Sequence, residues 1–222
     1  HTAIAVRDEA SFDALRELGV ERIVRTADLA FLAEVPQVSG DGVLGVCLRA
    51  PQSGRFRPGA LDHAHRWPDG RADAMATALD ETARATGLTV RFLAFDARSD
   101  GVVHRQVAER MATAAEVVEP ELDGLVAALA RVDAMATMRY HGAVLAALGG
   151  AGVVALPFSP KLRSIADDLG PGATVLDEAD TGLPAAVAGV LGQRHHLPDA
   201  VERLRILAGR NVDVLDDLLG AS

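Results

Sequence analysis

Short apolar runs rich in β-branched residues alternate along this chain with longer stretches whose apolar positions recur at helical spacing. The runs predict strands over Ala3 to Val6, Arg22 to Val24, Val43 to Leu48, Thr89 to Phe95, Glu116 to Val118, Ala134 to Met138, Val153 to Leu156 and Thr174 to Leu176. Between them, helices are predicted over Ser11 to Leu18, Ala72 to Thr86, Val102 to Met111, Leu122 to Arg131, Gly142 to Leu148, Leu162 to Leu169, Pro184 to Leu191 and Pro198 to Leu218. Strands alternating with helices are the pattern of an α/β protein with a parallel sheet covered by helices. Ser11 is expected to cap the first helix, and Gly19, Gly87 and Gly170 to end three of them. In the last helix Val201, Leu204, Leu207, Val212, Leu215 and Leu218 form a rough stripe, expected to be a packing face.

A polar break over 36–42 divides the pattern, so 1–37 reads as the tail of a preceding domain and 38–222 as a complete run of strands and helices. The arginine-rich segment Arg49 to Gly70, with two histidines and the only Trp, has no clear period and reads as a loop over one end of the sheet. The chain opens on His1 and enters a strand-like segment at once, so a piece whose first part is missing is expected.

Composition narrows the function. A formal charge of -9 argues against general nucleic-acid binding, which runs on a basic surface. No stretch approaches the roughly 20 uninterrupted apolar residues of a membrane-spanning helix. Cys47 is the single cysteine, so no internal disulfide can form; an intracellular compartment follows, and its place in VLGVCL makes it a core residue. Of 22 Lys and Arg residues only Lys161 is a lysine. A compact ammonium with an adjustable pKa does work that a planar guanidinium cannot.

Ligands of an open parallel sheet bind beyond the carboxyl ends of its strands, where helices begin. The residues predicted there are Arg7 with Asp8, Asp28, Arg49, Asp96 with Arg98, Arg139 with His141, and Ser159 with Lys161. Arg139 and His141 are two apart, so an extended chain would point both to one side. Against these stand structural readings: Arg7 and Asp8 as an ion pair holding a turn, and Asp28 as a turn cap. His63, His65, His195 and His196 lack a carboxylate or thiol at ligand spacing, so no metal is expected. Phosphate-binding glycine loops and a hydrolase elbow are absent from the sequence.

These residues resemble the polysaccharide pyruvyl transferase family, bacterial cell-wall type. The resemblance runs through AVRDEAS, VRTADLAFL, LGVCLR and RFLAFDARSD to MRYHGAVLAALGGAGVVALPFSPK and FSPKLRSIADDLG. The last two segments are the specific ones, carrying the family's M-R-x-H, then a strand, then a Pro-Lys pair. Ser159 stands where the family commonly has Asp.

The resemblance implies a Rossmann-like, doubly wound parallel sheet forming the C-terminal half of a GT-B-like two-domain enzyme. It implies a transferase that moves pyruvate from phosphoenolpyruvate onto two hydroxyls of a sugar, forming a ketal and releasing phosphate. The acceptor would be a glycan or lipid-linked sugar of the cell wall, and the ketal would later anchor S-layer proteins. The place would be the cytoplasm, with peripheral contact at the inner face of the membrane; phosphoenolpyruvate is the donor and no cofactor is expected. Arg7, His141 and Lys161 match its functional positions, with Arg139 beside them; Arg49 and Ser159 are expected to bind substrate.

The chemistry agrees. A small dianionic or trianionic donor calls for convergent cations, which Arg7, Arg139 and Lys161 supply. Proton transfer to the methylene carbon and from the sugar hydroxyl suits a His near neutrality, and Lys161 would hold the phosphate or donate a proton. Alternatives are a GT-B nucleotide-sugar glycosyltransferase, with Asp177 and Glu178 as ribose partners, and a non-catalytic sugar- or phosphate-binding domain.

Overall fold

The computed structural model describes residues 3–37, 40–50, 66–119, 122–156, 159–177 and 182–220. Most of the expected loop over Arg49 to Gly70, with His63 and His65, lies outside them, as does Glu178.

Two sheets are present among the described residues. Strands β1 (Ile4–Val6) and β2 (Ile23–Arg25) pair in parallel, joined by helix α1 (Glu9–Glu17). The remaining strands are β3 (Val43–Cys47), β4 (Thr89–Leu93), β5 (Ala115–Val118), β6 (Ala134–Thr137), β7 (Gly152–Ala155) and β8 (Ala173–Val175). They form a six-stranded parallel sheet in the order β5-β4-β3-β6-β7-β8. The chain therefore winds outward first one way from β3 and then the other, and the switch point falls between β3 and β6.

Strand side chains alternate between two cores. Leu44, Val46, Ala134, Ala136 and Val154 pack under α2 (Asp69–Thr86), α3 (Asp100–Ala108) and α7 (Leu183–Gln193). Val43, Cys47, Met135, Val153 and Ala155 pack under α4 (Leu122–Leu129), α5 (Tyr140–Leu148), α6 (Pro160–Leu169) and α8 (Leu197–Gly220). Both faces are buried, which is why these strands read as continuous apolar runs. Cys47 is buried in this core, and burial raises its thiol pKa far above the ordinary value.

Several boundaries differ from expectation for local reasons. Asp8, not Ser11, caps α1: it is extended, and its carboxylate accepts the N–H of Ser11 at 2.8 Å. The expected Arg7–Asp8 pair is therefore absent; Arg7 pairs with Asp28 instead. Helix α5 starts at Tyr140, two residues before Gly142, so Arg139 and His141 do not share an extended segment. Gly142 lets the first turn of α5 lie on β6, since a Cβ there would stand 2.5 Å from Thr137 Oγ1. Likewise α6 starts at Pro160, with proline in the first turn where its missing N–H costs nothing. Gly87, left-handed at φ 73°, ends α2.

The apolar stripe of α8 divides. Val201, Leu204 and Ala208 are buried, while Val212 and Leu215 are exposed. The same helix ties down the segment after β2, with Asn211 donating to the Ala27 carbonyl at 3.0 Å and Arg205 to that of Phe31 at 3.2 Å.

Candidate active site

At the carboxyl edge, the segments after β1, β3, β4, β6 and β7 meet around a cavity of about 380 Å³ lined by Arg7, Arg49, Phe95, Met138, Arg139, Tyr140, His141, Ser159 and Lys161. Arg49 follows β3 and Arg139 follows β6, so these two arginines flank the switch point. Helices α5 and α6 both begin here, and the first N–H groups of a helix have no acceptor inside it. Ser159 caps α6 without a side-chain hydrogen bond to the helix, leaving its hydroxyl at the cavity wall. It also borders a neighbouring cavity of about 620 Å³ between the start of α1 and one face of α6.

The cations are held differently. Arg139 makes a two-point ion pair with Asp100, Nε to Oδ2 at 2.8 Å and Nη2 to Oδ1 at 2.6 Å. Burial opposes its charge, but the Asp100 hydrogen bonds and carboxylate outweigh that and hold it more firmly protonated than usual. Asp100 is fully buried and also accepts the N–H groups of Phe95 and Asp96 at 3.2 and 3.0 Å. Arg7 Nη1 meets Asp28 Oδ2 at 2.5 Å, and its guanidinium carbon lies 4.6 Å from the Tyr140 ring centre, a cation–π contact. Burial, then the nearby Asp28 charge, raise the Tyr140 pKa, so the phenol stays protonated. Asp28 caps the turn Leu29–Leu32 by accepting the N–H of Ala30 at 3.0 Å, and its Oδ1 lies 3.8 Å from His141 Nε2.

His141 and Lys161 are the exposed members. Lys161 has no carboxylate partner among the described residues, whereas Arg7 pairs with Asp28 and Arg139 with Asp100 and, at 3.9 Å, Asp96. The backbone of Arg49 is gripped on both sides: its N–H faces Met138 Sδ at 3.5 Å, and its carbonyl accepts Trp67 Nε1–H at 2.9 Å.

All six residues singled out in the sequence, Arg7, Arg49, Arg139, His141, Ser159 and Lys161, thus line one cavity. Asp8, Asp96 and Arg98 do not. Asp8 caps α1, and Asp96 accepts from the Ser99 hydroxyl at 2.8 Å and the Arg98 N–H at 3.2 Å. Those bonds, the Ser99 hydroxyl first, lower the Asp96 pKa against the effect of its partial burial. Asp177, expected as a ribose partner in the alternative reading, pairs with Arg163 at 2.7 Å. His195 and His196 stack on each other, ring centres 4.0 Å apart, in a short turn after α7. Sequence reasoning missed Asp100 and Tyr140. Tyr140 carried a signal, as the only tyrosine and the neighbour of both Arg139 and His141.

A doubly wound sheet with its cavity at the switch point is the architecture of the GT-B glycosyltransferases, and solved structures of that class superpose on the chain. TarM of S. aureus matches at TM-score 0.55 with 10% identity, over 98% of this chain and 43% of its own. Os79 from O. sativa, solved with UDP and deoxynivalenol-3-glucoside, matches at 0.59 with 11% identity, over 98% and 54%. HepE of Anabaena, solved with UDP and glucose, matches at 0.54 with 12% identity, over 99% and 62%. At such identities the likeness concerns the fold, and the chain spans 43% to 62% of these three structures. No curated protein matches the sequence. The chain belongs to the polysaccharide pyruvyl transferase family, whose family model matches residues 1–160. The match takes in Arg7, Arg49, Arg139, His141 and Ser159 and ends one residue before Lys161.

Proposed function

We propose that this protein takes part in pyruvyl transfer from phosphoenolpyruvate to a sugar of a cell-wall polysaccharide or of its lipid-linked precursor. The observation that carries the reading is the gathering of Arg7, Arg49, Arg139 and Lys161 with His141 around one small cavity in a chain of net charge -9. Family membership supports it. The donor carries a carboxylate and a phosphate on three carbons, and charge-assisted hydrogen bonds from several directions recognise such a molecule.

In this reading one sugar hydroxyl attacks the central carbon of the donor while the methylene carbon gains a proton and becomes a methyl group. A second hydroxyl then attacks the same carbon, the C–O bond to phosphate breaks, and the second hydroxyl's proton leaves with the phosphate. His141, exposed at the start of α5, exchanges the proton between hydroxyl and methylene. Lys161 meets the phosphate, since Arg7 and Arg139 are already neutralised by carboxylates. Ser159 and Arg49 orient the substrates at the cavity wall.

The same reading treats residues 1–37 as the end of a first Rossmann-like domain and 38–222 as the second. The separate β1–β2 sheet supports this, because two strands alone are marginally stable and β1 is largely exposed. The work takes place in the cytoplasm at the inner membrane face; among the described residues no helix is long and apolar enough to cross a membrane. The ketal then serves to anchor S-layer proteins.

The test is phosphate release from phosphoenolpyruvate with and without sugar acceptors, beside a thermal-shift comparison of phosphoenolpyruvate with UDP-sugars. Acceptor-dependent release is expected. Stabilisation by a UDP-sugar with no response to phosphoenolpyruvate would transfer the protein to the glycosyltransferase reading, which the UDP-bound neighbours favour.

A further inference from the structure

Helix α3 turns three polar side chains into the core: Asp100 and His104 are fully buried and Gln106 is 1% exposed. A polar group between helix and sheet costs free energy that an aliphatic one does not, unless its hydrogen bonds are met. Here a bond from each side chain leads toward one place. Asp100 takes Nε and Nη2 of Arg139. His104 Nε2 accepts the N–H of Leu48, the residue before Arg49, at 2.9 Å. Gln106 holds both backbone groups of Trp67, at 2.9 and 2.8 Å, and Trp67 in turn donates to the Arg49 carbonyl.

His104 is the informative member. Its Nδ1 is the one buried side-chain polar atom among the described residues without a hydrogen-bond partner. What the ring contributes is therefore the acceptor at Nε2, and burial keeps that acceptor available by pushing the pKa down to about 3. The helix reaches both arginines that flank the switch point, one by its side chain and one through the backbone.

We propose that Asp100 and His104 are positioning residues of the anion site, fixing the directions of Arg139 and Arg49 from beneath the sheet edge. Arg139 then offers a ligand its Nη1, because its two-nitrogen edge is committed to Asp100. The ligand meets an Arg139 guanidinium and an Arg49 backbone already set in place, so less ordering cost falls on binding. The inference rests on the reading of the cavity as an anion site.

Calorimetric double-mutant cycles with phosphoenolpyruvate, repeated with inorganic phosphate, test it. Asp100→Asn should weaken binding about tenfold or more. With Arg139→Gln already present, it should change binding by less than about twofold, because the two substitutions then remove one interaction. Equal losses in both backgrounds would overturn the proposal. His104→Leu should behave the same way against Arg49→Ala, while His104→Gln, which keeps an acceptor, restores most of the affinity. Should Asp100→Asn fail to fold, the His104 cycle decides alone: wild-type affinity in His104→Leu refutes the role. Wild-type protein that binds neither anion removes the functional reading together with this one; binding by wild type and unaffected variants removes this one only.

Discussion

At the amino edge of the six-stranded sheet, Asp133 accepts the N–H groups of Gly42 and Val43 at 2.8 and 3.1 Å and the Arg194 guanidinium at 2.9 Å. That carboxylate is almost fully buried and ties β3, β6 and the end of α7 together. At the carboxyl edge, Asp100 is just as buried and just as fully used, but its partner Arg139 opens on a cavity beside an exposed His141 and an exposed Lys161. The same chemistry closes one edge and leaves the other unfinished. A charge whose partners are all internal serves stability, and one left facing a cavity serves a ligand.

The contrast breaks if substitutions at the two edges have the same consequence. Asp133→Ala should have the largest effect, about 3 kcal/mol of stability, because it strands two backbone donors and an arginine. That is a fall in Tm of roughly 6–12 °C for a chain of this size, with phosphoenolpyruvate affinity unchanged in calorimetry. Next comes His141→Ala, expected to lower turnover about a hundredfold, or about 2.7 kcal/mol. Its melting curve should match that of the wild type, as the side chain is 59% exposed; near-normal pyruvyl transfer would refute the proton-transfer role.

A third prediction uses pH. Burial holds the His104 pKa at about 3 in the folded chain, against 6.5 for an imidazole open to water. As pH falls below 6.5 the unfolded chain takes up the proton first, so stability is full above that value and declines toward about 3. At pH 5 the loss is about 2 kcal/mol. The Asp8, Asp80 and Asp96 pKa values, lowered from 3.8 by hydrogen bonds against burial, act in the same direction only below about pH 4. Asp168, raised by burial, acts in the opposite sense. Thermal melts between pH 7 and 4 should therefore be flatter for His104→Gln than for wild type; parallel curves would refute the assignment.

The smallest effect separates charge from shape at one residue. Lys161→Arg should keep the wild-type Tm and lose about tenfold in turnover, because a guanidinium neither fits a compact phosphate contact nor gives up a proton. Wild-type rates would make Lys161 an ordinary solvated residue at the start of α6.

Much of this edge was legible in the sequence because a strand ends where its apolar run ends. The runs before Arg49, Arg139 and Ser159 marked three strand ends, and a parallel sheet brings such ends to one side. Helix starts were less legible. Tyr140 and His141 join α5 because Gly142 permits close packing on Thr137, a contact no local pattern announces. The carboxylates escaped almost entirely. Asp28 looked like a turn cap and is one, yet it also holds Arg7 from 21 positions away. Asp100 stands two positions before the helix expected from Val102, and no local pattern singles it out.

The sequence by itself determined the alternation of strands and helices, the two-sided burial of the sheet and the residues that end its strands, since periodicity and local turn chemistry act over a few neighbouring positions. Only the tertiary structure decided which cations keep an available charge. Strand order leaves only β3 between β4 and β6, so Asp100 at the start of α3 meets Arg139 after β6 although they lie 39 positions apart. Pairing of charges depends on distance in space and on burial, and neither quantity exists until the sheet has closed its order.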